Sequence, residues 1–348
     1  MIYTNLPNTD ISVSKICLGT MTFGKQNSEI ESHSQIDFSL DKGINFLDTA
    51  ELYPVPADNS TYADTERIIG SWIKKSGKRE KIVIASKIVG PGSYTAHIRN
   101  KNHFSPNNLR GALEKSLDRL KTDYLDLYQL HWPERQTNNF GIRGFKFSPS
   151  EDPWTDNFEE VLMTLDDLIN EGKVRSIGLS NENPWGIMRF LNLAKKGFPK
   201  ITTVQNPYNL LNRLFEVGTA ELCMREGVGL LAYSPLAFGR LTGKYREGQM
   251  PEKSRFKLFP NLARFSGENS INATDEYYEI ANTFGLSLTE MAISFVNSKE
   301  FVTSNIIGAT NLNQLGENIN SINKSLSSEI LSLIEKVHCK YPDPAPYS

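Results

Sequence analysis

Eight short apolar runs punctuate the chain, near residues 16–19, 44–48, 82–87, 124–131, 174–180, 202–206, 229–234 and 304–308, and segments of helical period lie between most of them. Continuous apolar runs are what strands buried on both faces of a parallel sheet look like. Leu109, Leu113, Leu117 and Leu120 recur at helical spacing behind Ser105-Pro106, a serine suited to cap a helix and a proline suited to its first turn. Leu312, Leu315, Ile319 and Ile322 repeat that pattern after the last run. Ser28-Glu29-Ile30-Glu31 has the form of a capping box and opens a helix carrying Ile36 and Leu40.

Alternation of strand and helix implies parallel pairing through crossover helices, and eight such units close a barrel. The pattern therefore predicts the α/β class and a (β/α)8 TIM barrel, with residues 1–348 as a single domain. A doubly wound open sheet would be expected to carry a Gly-x-Gly-x-x-Gly turn after its first strand, and this chain has none. Residues 2–14 predict an N-terminal β-hairpin across the barrel bottom. Residues 326–340, with Ile330, Ile334 and Val337 on one face, predict a C-terminal outer helix. Three stretches, 88–105, 132–156 and 237–272, exceed ordinary connections and follow strands, which predicts long loops on the C-terminal face where barrels bind ligands.

Composition narrows the partner more than the fold. Of 348 residues, 39% are hydrophobic and 22% charged, with a net charge of -2, so electrostatics gives no reason to expect nucleic acid or an anionic membrane. A small molecule is the expected partner, to a monomer or a homo-oligomer. Cys17, Cys223 and Cys339 form no Cys-x-x-Cys pair, which predicts neither a metal site nor a disulfide framework. The N-terminus lacks a basic region followed by a long apolar core, and no stretch reaches membrane-span length, so cytoplasmic residence is the default expectation.

Chemistry gathers at the ends of the apolar runs. Asp48 closes Ile44–Asp48, Lys87 closes Ile82–Lys87, His131 closes Tyr124–His131, and Tyr53 follows just beyond the first of these. Ligands collect at the carboxyl ends of such strands. A phenol is a poor acid near neutral pH unless its anion is stabilised, and a nearby ammonium, held by a carboxylate, is expected to lower its pKa. An imidazole alongside can hydrogen-bond a substrate oxygen. Alone, each residue is more often a structural ion pair or a packed ring. Together they suit protonation of an oxygen while a hydride reaches carbon.

Phe46-Leu47-Asp48-Thr49-Ala50-Glu51-Leu52-Tyr53, Ala85-Ser86-Lys87 and Leu130-His131-Trp132-Pro133 resemble the successive catalytic motifs of the aldo-keto reductases, and the likeness runs from about residue 13 to about residue 337. Gly19-Thr20-Met21-Thr22-Phe23-Gly24, Tyr53-Pro54-Val55-Pro56 and the segment Gln205–Arg213 resemble the bacterial Tas-type branch. The resemblance implies reduction of aldehydes or ketones with Tyr53 as general acid, tuned by Lys87 and Asp48, and His131 orienting the carbonyl. As a second reading it allows a cofactor-binding, redox-sensing subunit that regulates a partner protein, while Lys87 in such a barrel also suits a Schiff-base aldolase.

Tyr233-Ser234-Pro235-Leu236-Ala237-Phe238-Gly239-Arg240-Leu241-Thr242-Gly243-Lys244 is no P-loop, because its spacing is one residue short and Tyr245 stands where serine or threonine would hold magnesium. By resemblance it is a dinucleotide belt, with Tyr233 stacking on nicotinamide and Ser234 to Phe238 and Lys244 along the pyrophosphate. The same resemblance assigns cofactor contacts to Thr20, to Ser180, Asn181 and Gln205 at the carboxamide, and to Gly308, Thr310, Gln314, Glu317 and Asn318 at the adenosine end. Arg255, or Arg264 in its place, would meet a 2′-phosphate, so NADPH/NADP+ is the expected cofactor. Phe23, Tyr94, Trp132, Trp154 and Tyr208 are candidate walls of the substrate pocket.

Overall fold

The computed structural model describes residues 1–99, 101–138, 140, 144–260 and 264–345. Its centre is a closed barrel of eight parallel strands: β3 (Ile16–Gly19), β4 (Phe46–Asp48), β5 (Val83–Ile88), β6 (Leu127–Leu130), β7 (Ile177–Ser180), β8 (Thr203–Pro207), β9 (Gly229–Tyr233) and β10 (Val302–Ile307), which pairs back with β3. Before them, β1 (Tyr3–Asn5) and β2 (Ser12–Ser14) form an antiparallel hairpin with Tyr3 opposite Ser14. Leu6, Ile11 and Val13 from the hairpin pack with Cys17, Phe46, Val83, Leu127 and Leu231, and so plug the end of the barrel where the strands begin.

Helices cover the outside: α1 (Glu29–Asp41), α2 (Asp64–Ser76), α3 (Pro106–Leu120), α4 (Phe158–Asn170), α5 (Pro184–Ala194), α6 (Thr219–Glu226), the short α7 (Arg255–Leu258), α8 (Glu268–Thr283), α9 (Leu288–Asn297), α10 (Leu312–Asn320) and α11 (Ser328–Lys340). The capping box forms as expected, the Glu31 backbone N–H donating to Ser28 Oγ and the Glu31 carboxylate accepting from the Ser28 N–H. Ser105 caps α3 with Pro106 in its first turn.

Several boundaries differ from the pattern-based ones. The strand expected over 124–131 is continuous only at Leu127–Leu130, and that expected over 174–180 only at Ile177–Ser180, with an isolated parallel bridge between Leu125 and Val174 before them. Ile322 lies in a 3-10 turn after α10. The loop expected to run to 272 ends before α8, which starts at Glu268. Cys17 and Cys223 are buried, and Cys339 is exposed. Among the described residues no helix is long and apolar enough to cross a membrane, and no cluster of ligating side chains could hold a metal ion.

The helix layer leaves little slack. At Gly70 on α2, a methyl group would run into the carbonyl oxygen of Arg119 on α3. Overpacking of this kind costs about 1–3 kcal/mol. Gly70→Ala is accordingly expected to lower the unfolding free energy by that amount, seen as a lower urea midpoint with an unchanged denaturant slope, and an unaltered midpoint would show that α2 and α3 separate freely.

Candidate functional site

The strand ends bring the four expected residues to one place. Asp48 is the last residue of β4, Lys87 the penultimate residue of β5, and His131 the first beyond β6, where its N–H donates to Ile88 O at 2.9 Å. Lys87 is fully buried, and its three ammonium hydrogens meet three acceptors: Asp48 Oδ2 at 2.7 Å, Thr49 O at 2.8 Å and Tyr53 Oη at 3.5 Å. Because Tyr53 accepts from Lys87, its own proton is free to be donated. The His131 ring meets the Tyr53 ring edge-on, with centroids 5.7 Å apart.

The electrostatic balance differs from the sequence-based expectation in one respect. Burial, followed by the negative charge of Asp48, holds the Tyr53 phenol well above its ordinary value, so Lys87 does not bring about a net lowering. The phenol therefore keeps its proton across the physiological range. Burial, followed by repulsion from Lys87, holds His131 well below the ordinary imidazole value, so the ring is neutral. Its Nδ1 is buried without a hydrogen-bond partner, which suits the tautomer with hydrogen on Nε2.

Behind these groups lies a network that pattern reading only partly foresees. Gln205 Nε2 donates to Asp48 Oδ1 at 2.7 Å, and Gln129 Nε2 approaches the same oxygen at 3.5 Å. Ser180 Oγ donates to Gln205 O at 2.9 Å. Asn181 Nδ2 donates to His131 O at 2.9 Å, and Asn181 Oδ1 accepts from Tyr233 Oη at 2.6 Å. The expected carboxamide-binding residues are thus wired directly to the expected acid machinery. Gln129 was missed, yet it is a polar residue in an apolar strand two positions before His131, a spacing that puts it on the same strand face.

Two buried clamps were also missed. Glu51, between Asp48 and Tyr53 in sequence, binds Arg99 through both carboxylate oxygens and accepts the Val89 N–H at 2.8 Å, which fastens loop 88–105 beside Tyr53. Arg135 binds Glu182 through two nitrogens and fastens loop 132–156 beside Asn181. An acid and an arginine about 47 residues apart carry no local signal of pairing.

In the expected belt, Ser234, Ala237 and Phe238 all have left-handed backbone, as does Gly239. A Cβ on Gly239 would lie 2.6 Å from Lys244 Cε, so glycine is what lets the lysine fold back over the turn. Pro235 is buried, and Leu236 packs on the core in part. Ala237 and Leu241 are core residues, and Arg240 is spent on Phe265 O at 3.0 Å; Thr242 Oγ1 bonds Gly239 O, while Gly243 ends the turn. Arg255 and Arg264 flank the Phe238 ring, their guanidinium carbons 5.0 and 5.7 Å from its centroid, and the Arg264 charge opposes the rise that burial gives the Tyr233 pKa. Burial lowers the pKa of Lys244 and of Arg255; no carboxylate acts on either among the described residues. Half-buried cations without a counter-charge fit an anionic ligand such as a dinucleotide's phosphates.

At the expected adenosine end, Thr310 donates to Gln314 Oε1 through N and Oγ1, at 3.1 and 3.0 Å, and Asn318 Nδ2 donates to Gly308 O at 3.2 Å. Glu317 accepts from Ser287 Oγ on the outer side. Thr20 is fully buried, and its hydroxyl bonds Asp48 O at 2.8 Å. Of the candidate pocket walls, Tyr94 and Trp132 are next to the site, with rings 5.6 Å apart and Trp132 4.8 Å from His131. The other three lie elsewhere in the packing. Phe23 belongs to the main core, Tyr208 is fully buried against Phe295 and Phe301, and Trp154 packs on Phe158 and Trp185.

The family model of the aldo/keto reductase family matches residues 15–338. The chain belongs to the aldo/keto reductase family. This is an oxidoreductase family that acts on carbonyls with nicotinamide cofactors. Protein tas of Escherichia coli K12 is 48% identical over 99% of this chain and 100% of its own length. An aldo-keto reductase of Babesia bovis is 40% identical over 76% of this chain and 98% of its own. The NADH-specific methylglyoxal reductase of E. coli is 27% identical over 95% and 97%.

The buried neutral ring of His131 has a consequence for this reductase's stability. The unfolded chain takes up a proton at about pH 6.5, but the folded chain does so only well below that, so the contribution is present above the ordinary imidazole value and lost as pH falls through it. His131→Asn is therefore expected to flatten the fall in urea midpoint between about pH 7 and pH 5. Parallel curves for the two proteins would show that His131 protonates freely in the folded state.

Proposed function

We propose that this chain reduces aldehydes or ketones to alcohols with NADPH, and that Tyr53 is the general acid. The observation that supports this most is the Lys87 ammonium, shared among Asp48, Thr49 O and Tyr53 Oη beside a neutral imidazole. When bound, the nicotinamide supplies a hydride to the carbonyl carbon. His131 Nε2–H holds the carbonyl oxygen and polarises it. As negative charge grows on that oxygen, Tyr53 gives it a proton, and the phenolate left behind is held by Lys87. Asp48 keeps Lys87 charged and oriented, while Gln205 keeps Asp48 in place.

Ser180, Asn181, Gln205 and Tyr233 would hold the nicotinamide end. The free cations Lys244 and Arg255 would meet the phosphates, and Thr310, Gln314 and Asn318 would face the adenosine. The Arg264 charge acts on the Tyr233 hydroxyl at the nicotinamide end, which favours Arg255 over Arg264 as the 2′-phosphate contact.

Tyr53→Phe is expected to bind NADPH within about twofold of wild type, by fluorescence titration, and to lose at least about 100-fold in aldehyde-dependent NADPH oxidation. Undiminished turnover would remove Tyr53 from the acid role. Arg255→Gln is expected to weaken NADPH binding about tenfold or more and to leave NADH binding nearly unchanged, in line with a charge-assisted contact of about 1.5–3 kcal/mol. Equal weakening of both cofactors would place Arg255 away from the 2′-phosphate.

A further inference from the structure

The barrel interior beside the Asp48–Lys87 pair is polar, where barrels of this kind are normally filled with branched apolar side chains. Gln129 on β6 and Gln205 on β8 are both buried, and they meet each other and Asp48 on β4. These three strands are not neighbours in the sheet, so the contacts cross the interior of the barrel. The strand between the two glutamines makes room for them. Gly178 on β7 pairs with Gln129 on one side and Thr203 on the other, and a Cβ on it would lie 2.6 Å from Thr203 Oγ1 and 3.3 Å from Gln129 Cγ. Glycine there keeps the amides of β6 and β8 within reach of one another.

The direction of both amides is set by charge. Asp48, ionised against Lys87, can only accept, so both glutamines turn their nitrogens to its Oδ1, Gln205 Nε2 at 2.7 Å and Gln129 Nε2 at 3.5 Å. The same Gln205 nitrogen also donates to Gln129 Oε1 at 3.4 Å. Asp48 alone would hold that nitrogen and leave the amide plane free to turn. The second contact fixes the plane, and a reversed amide would bring Gln205 Oε1 against two acceptors. Contacts of 3.4 and 3.5 Å are long and add little stability; what they impose is direction. Gln205 Oε1 is left turned away from Asp48, and among the described residues it accepts no hydrogen bond.

We infer that Gln129 is a positioning residue for cofactor recognition: with Asp48 it locks the Gln205 amide so that its oxygen is presented as an acceptor to the N–H of a carboxamide on the nicotinamide ring. This rests on the proposed placement of the nicotinamide end at Gln205. Gln129 acts through Gln205 and not on the ligand itself. The consequence is a demand on the ligand, because a ring carrying a ketone in place of the amide leaves Gln205 Oε1 without a donor.

The test compares binding of NADP+ and of its 3-acetylpyridine analogue, in which a methyl group replaces the carboxamide NH2, by quenching of protein fluorescence and without turnover. We expect the wild-type protein to hold NADP+ at least about fivefold more tightly than the analogue. In Gln129→Met, which keeps the length of the side chain without an amide, that ratio is expected to fall to within about twofold of unity. Gln129→Asn, shorter and so withdrawn from Gln205, is expected to do the same and serves where the apolar variant disturbs folding. A ratio kept in both variants, even with affinity for both dinucleotides reduced alike, would make Gln129 a packing residue and overturn the inference. So would a wild-type ratio near one, and either result leaves the reductase reading standing. Failure of the wild-type protein to bind NADP+ at all would overturn both.

Discussion

The arrangement depends on one buried ion pair. Lys87 has no exposure to solvent, and an ammonium in that position is tolerable only with its charge opposed and its hydrogens accepted. Asp48 opposes the charge, and Thr49 O and Tyr53 Oη complete the set of acceptors. Asp48 in turn has a second oxygen to satisfy, which draws in Gln205. Asp48, Thr49 and Tyr53 sit at or beyond the end of β4, Lys87 on β5 and Gln205 on β8, so the pair holds its geometry only while the barrel is closed. The cost of burying these charges is met by the same backbone register that positions them.

That pair also sets the proton inventory of the site. Asp48 and burial together keep the Tyr53 phenol protonated, and burial with the Lys87 charge keeps His131 neutral. One residue thus retains a proton to give, and its neighbour can donate a hydrogen bond without carrying charge. This division suits carbonyl reduction, in which charge appears on oxygen only as the hydride arrives. The Glu51–Arg99 and Glu182–Arg135 clamps extend the same economy outward: they fasten two long loops with charges that compensate one another.

Much of this was legible in the sequence. Strand ends were read from where apolar runs stop, and Asp48, Lys87 and His131 lie at or within one residue of strand ends because a parallel strand buried on both faces must turn polar when it leaves the barrel. Ser28 and Ser105 announced their helices through capping chemistry, which is local. The aromatic residues were less legible. Phe23, Tyr208 and Trp154 have the same composition signal as Tyr94 and Trp132, yet they pack elsewhere, since a ring's destination depends on which elements converge on it. Arg240 sat in the expected belt but turns to Phe265 O, because left-handed residues before it redirect the chain.

The sequence by itself determined the barrel, the hairpin plug and the strand-end placement of the acid, base, phenol and imidazole, because periodicity and caps act over a few residues. Only the tertiary structure decided which way the Tyr53 proton equilibrium is pushed, because that balance sums burial against charges brought from other strands. It alone paired Arg99 with Glu51 and Arg135 with Glu182 across about 47 residues of chain, and left Lys244 and Arg255 with no carboxylate acting on them among the described residues. Charge compensation is a property of neighbours in space, and neighbours in space are what a linear pattern does not contain.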